Sequence, residues 1–419
     1  MVKSQGSVKK SSFWKVLGPG LLYAGAAVGV SHLVQSTRAG AMFNFDLLWV
    51  LIVANILKYP FFDYGARYAN ATGKNLISGY ADIGKWAVIL FALLSFVSMF
   101  IIQAAVTVVT VGLFAYIFNI TISVVSLSLW IMGVSVLILL AGKYSLLDKL
   151  IKFIIVLLAV STIVAVFSAL GIDKQIDPDS LRNFTWTDKA DILFLIAFVG
   201  WMPAPIDVSV WSSIWTVEKN KEIKEKVPLK DTLFEFRVGY IGTAILAMGF
   251  LSLGALVMYG TGEKLSASGT VFAGQLINMY ATSIGKWSFW IISIAAFTTM
   301  FSTTITVLDA YSRVIPSVIT NLMPKSKNSL PGNWLWLTIM LVGTLIIIIF
   351  FAKSMRVMVD IATTLSFVTA PILAYLNYKV VTSDKMPEYA RPGKGLRILS
   401  WIGIIFFVVF TIIYLYWAV

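Results

Sequence analysis

The chain has 419 residues, of which 58% are hydrophobic and 13% charged. A soluble enzyme would carry roughly 25% charged residues, so that class is excluded; zero cysteines and one histidine exclude disulfide frameworks, thiolate metal sites and multi-histidine centres. The formal charge of +13 would suggest nucleic acid in a soluble protein, but among recurring apolar runs it fits basic loops on one side of a bilayer, and no nucleic-acid partner is expected.

Hydropathy predicts eleven membrane segments, near 13–41, 46–69, 86–118, 121–142, 150–171, 190–216, 236–260, 286–313, 333–352, 355–379 and 396–418. The first is too long for a secretory signal and leads straight into another span. It is rich in break residues: Gly18-Pro19-Gly20, Gly25, then Gly29-Val30-Ser31-His32. Arg38 lies on its far half and is expected to pair with Asp207 or Asp309, or to bind an anionic group. In the second segment Lys58 and Asp63 flank Pro60, and read as a snorkelling lysine and an interfacial acid. The third segment has no ionisable residue, and Gln103 is its most polar candidate. The sixth holds Gly200-Trp201-Met202-Pro203-Ala204-Pro205-Ile206-Asp207, and two prolines so close cannot both sit in an undisturbed helix. The stretch 217–231 reads as a short amphipathic helix or a solvated linker. Asp309 in the eighth segment and Asp360 in the tenth complete the buried ionisable set.

A cytoplasmic N-terminus puts most of the 33 Lys and Arg residues on inside loops and the C-terminus outside. The expected fold class is an all-α polytopic membrane protein of one domain. Breaks in segments one and six, five segments apart, point to an inverted-repeat transporter with its site at the midplane. Repeat one spans about 13–171, repeat two about 190–379, and 396–418 is an extra helix. His32 and Asp207 both fall at the breaks, where they could pair, bind a cation, relay a proton, or form a buried structural pair. The Ser31-His32 neighbours do not make a catalytic triad, and no nucleophile elbow is present, so no enzymatic activity is expected.

The residues resemble the Nramp family of divalent-metal transporters. The likeness runs from Gly18-Pro19 through Arg38-Ala39-Gly40-Ala41, Leu48-Trp49-Val50 and Ala54-Asn55 to Ala71-Thr72-Gly73-Lys74-Asn75-Leu76, which is similar to the family's ATGRNL loop. Gly142 to Lys152 looks like its connection between segments four and five, Met202-Pro203 like the start of its MPH motif, and Ser302-Thr303-Thr304-Ile305-Thr306 like its SSTIT stretch. The resemblance implies a LeuT-type fold of five plus five inverted repeats with an eleventh helix. It also implies a bacterial plasma-membrane location, a monomer, and no cofactor beyond the transported substrate.

Departures from the family pattern fall on its metal site. Where the resemblance places a DPGN motif, this chain has Gly29, Val30, Ser31 and His32; the metal-binding Met is kept as Met202, and the His that follows becomes Ala204. Two readings follow. In one, a divalent metal binds a rebuilt site of His32, Met202 and Asp207. In the other, the same fold carries an amino acid or small organic anion at the Gly29-Val30-Ser31 break, with Arg38 and His32 nearby. On either reading the expected substrate contacts are Gly29, Ser31, His32, Met202, Ala204, Asp207 and Thr363. His32, Arg38, Asp207 and Asp309 are the candidates for an ion or proton pathway. Movement is expected by alternating access.

Overall fold

The computed structural model describes residues 19–142, 144–223, 227–324, 330–351 and 354–418. Gly18, the N-terminal lysines, Lys143, Lys224, Lys226, Lys325, Lys327 and Lys353, which entered the loop-charge reading, lie outside the described residues. The regular elements among the described residues are helical. In chain order they are α1 (Pro19–Ala27), a π-helical segment (Ser31–Ser36), α2 (Thr37–Phe43), α3 (Leu48–Thr72), α4 (Leu76–Ile83), α5 (Lys85–Ile117), α6 (Val124–Leu140) and α7 (Tyr144–Ala169). They continue as α8 (Lys189–Gly200), α9 (Asp207–Ile223), α10 (Leu229–Leu253), a second π segment (Gly254–Met258), α11 (Gly269–Ile284), α12 (Phe289–Leu322), α13 (Asn333–Phe351), α14 (Met355–Thr382) and α15 (Lys394–Ala418). Among the described residues, six helical spans are long and apolar enough to cross a bilayer: Lys85–Ile117, Leu229–Met258, Lys286–Leu322, Asn333–Phe351, Met355–Thr382 and Lys394–Trp417. The chain is an all-α polytopic membrane protein.

Helix limits follow local chemistry. The Asp188 carboxylate accepts the Ala190 and Asp191 amides and so starts α8; Asn75 and Ser354 do the same for α4 and α14. Gly73, at φ +69°, ends α3 in the left-handed conformation that only glycine adopts freely. Three features depart from the expected string. Helices α4 and α11 were not expected, because both are too short and too mixed in polarity to stand out in hydropathy. The charged stretch 217–231 is no separate helix: α9 runs on to Ile223 and α10 starts at Leu229, with 224–226 outside the described residues. Both π segments also lack any local sequence signal.

Helix α5 is the structural axis, packed by α12, α11, α14 and α13. A second group, α1, α3, α9 and α10, packs together beside it, and α1 also meets α12. In lipid, helices associate through close van der Waals approach rather than through expulsion of water, which favours small residues at contacts. Gly40 in α2 lies against the Leu251 carbonyl and Gly254 against the Thr37 carbonyl, so neither backbone leaves room for a Cβ. Helix α2 and the second π segment therefore lie beside each other. Exposed Trp49, Trp86, Trp130, Trp287, Phe350 and Phe96 face outward, as a lipid boundary requires.

Candidate functional site

Both interrupted helices break where glycine and proline lie. Helix α1 ends at Ala27, residues 28–29 bend, and the chain resumes as the π segment. The second break spans residues 201–206, between α8 and α9. The breaks face each other across a small cavity of about 20 Å³, room for about one water-sized group. Gly29 and Ser31 line it from the first break, Trp201 and Pro205 from the second, Trp211 from α9 and Thr303 from α12. Aliphatic side chains, Ile102, Val106, Val208 and Val307 among them, complete the wall.

Hydrogen bonds hold the first break open. The Thr303 hydroxyl reaches the Val28 carbonyl (3.0 Å) and the Thr299 carbonyl (3.0 Å), so α12 caps the end that α1 leaves unsatisfied. Ser31 Oγ reaches back to the Ala27 carbonyl (3.0 Å) and also lies 2.7 Å from His32 Nδ1. His32 is fully buried and turned away from the cavity, with Nε2 3.0 Å from the Thr243 carbonyl on α10. A carbonyl only accepts, so Nε2 carries a proton. Two arrangements of the remaining protons then satisfy the site. Ser31 donates to a neutral Nδ1, or a protonated Nδ1 donates to Ser31 while Ser31 donates to Ala27. His32→Ala leaves the Thr243 carbonyl without this donor, and is expected to cost about 1–3 kcal/mol; an unchanged thermal unfolding midpoint for the purified variant would refute this.

The other expected site residues separate into distinct groups. Met202 is fully buried at the second break, next to but not in the cavity wall. Asp207, at the first turn of α9, is buried and lies within electrostatic reach of the Tyr80 and Tyr311 hydroxyls. His32 and Asp207 are not brought together as a pair. Arg38 pairs with neither Asp207 nor Asp309, contrary to expectation: its guanidinium meets the Asp360 carboxylate at 2.6 and 3.3 Å. The reason is that α14 starts opposite α2, while Asp309 is already held by Arg313 at 2.8 Å and by the Trp215 indole at 3.1 Å. Gln35 accepts from Arg38 (2.8 Å) and donates to Asp360 and Thr363 (3.3 Å each). Thr363 thus belongs to a latch between the π segment, α2 and α14. Above this latch opens a larger cavity of about 420 Å³, lined by Arg38, Asp179, Arg182, Glu263, Lys264 and Arg356.

The snorkelling reading of Lys58 is overturned. The residue is fully buried, and its ammonium donates to the carbonyls of Val199 (2.7 Å), Gly200 (2.7 Å) and Ala204 (3.2 Å) at the second break. Asp63 is also buried rather than interfacial, paired with Arg67 at 2.5 Å. Sequence reading did not single out the Trp201, Trp211 or Gln35 side chains, or Thr243. Thr303 was visible only as part of a family-like stretch. Among the described residues, no three His, Asp or Glu side chains gather as a metal-binding group.

Two broken helices meeting at a buried cavity, inside a bundle of membrane spans, define the class as a secondary transporter. The profile of the family described as "Natural resistance-associated macrophage protein-like" matches residues 20–417, and the chain belongs to this family, Nramp; it is a transporter, not an enzyme. An uncharacterized protein of Pasteurella multocida is 38% identical over 421 residues, covering 99% of this chain and 96% of that one. The divalent metal cation transporter MntH of Latilactobacillus sakei is 27% identical over 285 residues, 61% of this chain and 58% of that protein. Among solved structures, the Eremococcus coleocola manganese transporter superposes with a TM-score of 0.66 at 13% identity, covering 98% of this chain and 88% of that one. MhsT in complex with L-phenylalanine superposes with a TM-score of 0.63 at 13% identity, covering 94% and 98%. These likenesses establish the LeuT-type fold.

Proposed function

We propose that this transporter carries a small organic solute, such as an amino acid or small organic anion, bound between the two breaks and moved by alternating access. The observation that carries this reading is the cavity wall. It offers two indole rings, aliphatic side chains, the Ser31 and Thr303 hydroxyls and the backbone of Gly29, but no carboxylate. A hard divalent cation needs several oxygen ligands, usually including carboxylates, whereas free backbone groups at half-helix ends suit the polar termini of an organic molecule. At about 20 Å³ the cavity is too small for such a cargo, which enters with the latch at Arg38–Asp360 apart. In this reading the chain has five-plus-five repeats and an eleventh helix, and sits in the bacterial plasma membrane as a monomer. The N-terminus is cytoplasmic, the C-terminus is outside, and the latch is the outer gate.

A divalent metal is the second reading. It is favoured by Met202, which keeps the family's thioether at the break, and by the relative named as a divalent metal cation transporter. His32 and Asp207 would complete that site only after turning towards the cavity. Uptake into proteoliposomes separates the two. Uptake of an amino acid or small carboxylate, with no manganese or magnesium uptake, supports the first reading. Manganese uptake lost in Met202→Ala, with no organic solute carried, overturns it in favour of the second.

A further inference from the structure

The second break presents more carbonyl lone pairs than backbone amides fill. Helix α8 stops at Gly200, and its last carbonyls have no continuing helix to accept. In an uninterrupted helix the amide of residue 203 would donate to Val199, but residue 203 is proline and has no N–H; the Met202 amide reaches the Val199 carbonyl at 3.2 Å instead, which leaves that oxygen a second lone pair to offer. The aligned peptide dipoles also put partial negative charge at this end. Three backbone oxygens, from Val199, Gly200 and Ala204, converge on one point, and the Lys58 ammonium occupies it at 2.7, 2.7 and 3.2 Å. An ammonium has three donors, and here each has one acceptor. Among the described residues no carboxylate is paired with it. The charge is thus stabilised by carbonyl dipoles alone, from residues on both sides of the break.

We infer that these three carbonyls form a cation site of ammonium size, and that Lys58 fills it from within the chain in place of a free monovalent cation. The carrier therefore keeps its second break formed whatever the monovalent cation outside, and removing the side chain turns a tethered ion into a ligand requirement. Lys58 is a positioning residue: it acts on the cavity through Trp201, which lies inside the span it bridges, and Pro205, the residue that follows it. Lys174 is a half-buried counterpart outside the spans. It donates to the Ala255 and Tyr259 carbonyls (2.9 and 2.7 Å) at the end of the second π segment, where partial burial lowers its pKa.

Chemical rescue tests the inference. Lys58→Ala deletes a fragment the size of n-propylammonium. The full-length variant, purified in detergent, is expected to unfold at a lower temperature than the parent. n-Propylammonium chloride should restore most of the loss in a saturable manner, whereas choline chloride at equal ionic strength and neutral 1-propanol should not. The parent protein should respond to propylammonium no more than to choline. Lys58→Met, which keeps the stem and loses the charge, should be destabilised and not rescued. Recovery of folded Lys58→Ala only when propylammonium is present throughout purification would support the site equally. Lys58→Met as stable as the parent would overturn the inference. So would a Lys58→Ala defect, or failure to fold, that propylammonium leaves unchanged.

Discussion

Asp360→Ala is expected to destabilise the folded carrier by about 3 kcal/mol, and Arg38→Ala by only about 1 kcal/mol. The two substitutions remove the same ion pair but leave different remnants. The Arg38 side chain is 8% exposed and the Asp360 side chain 35%. Without Asp360, a buried guanidinium keeps only the Gln35 carbonyl oxygen and the face of the Phe194 ring, 5.0 Å away, and a buried unpaired charge is what makes breaking such a pair costly. Without Arg38, the carboxylate that remains is the more exposed partner and can be hydrated where it stands. The double variant should lie near Arg38→Ala, because it strands no buried charge. Equilibrium unfolding of the three purified variants reads this directly, and equal losses for the two single variants would refute it. If the latch is the outer gate, Arg38→Ala should also make the cavity more accessible from outside.

Gly29→Val should abolish cargo binding, lowering affinity by at least about tenfold, by filling the cavity from its own wall. A Cβ at Gly29 would lie 3.0 Å from Thr303 Cγ2 and 3.2 Å from its Oγ1. Thr303 cannot turn aside without losing the Val28 carbonyl it caps. Even Gly29→Ala should therefore cost about 1–3 kcal/mol as an overpacking change. Adding Thr303→Ser to Gly29→Ala removes the methyl group that is closest and keeps the hydroxyl, so the pair should regain much of the lost stability. A double variant no more stable than Gly29→Ala would show that this contact is not the limiting one. Gly29→Val that carries cargo at the parental rate would place the site elsewhere.

Much of the architecture was readable because lipid imposes a simple rule. Long apolar runs become helices, and glycine or proline interrupts them only where something takes over the backbone groups. The breaks expected at Gly29–His32 and Gly200–Asp207 lie at residues 28–29 and 201–206. Side-chain partners were less readable, since they join residues far apart in sequence. Arg38 finds Asp360 across 322 positions. Lys58 could have gone either to the interface or inward, and hydropathy does not distinguish these fates. One signal was available: Ala54, Phe61 and Gly65 share its helical face and are small or packed, whereas Trp49, Ile52 and Ile56 on the other face are exposed. The resemblance placed His32 at a metal-binding position, but it could not show that Thr243 draws the ring towards α10.

The two π segments also give the bundle a reserve of chain length. A π turn holds about one residue more than an α turn. Relaxing Ser31–Ser36 to α geometry would advance everything beyond it by about 1.5 Å and rotate it by roughly 100°. Arg38 lies two residues past that segment. Helix one can therefore redirect its arginine by passing a single residue along its axis, with no helix melted and few backbone hydrogen bonds exchanged. The glycine contacts between Gly40 and Leu251, and between Gly254 and Thr37, mean that α10, which has a spare residue of its own in the second π segment, would have to take up or pass on that slack.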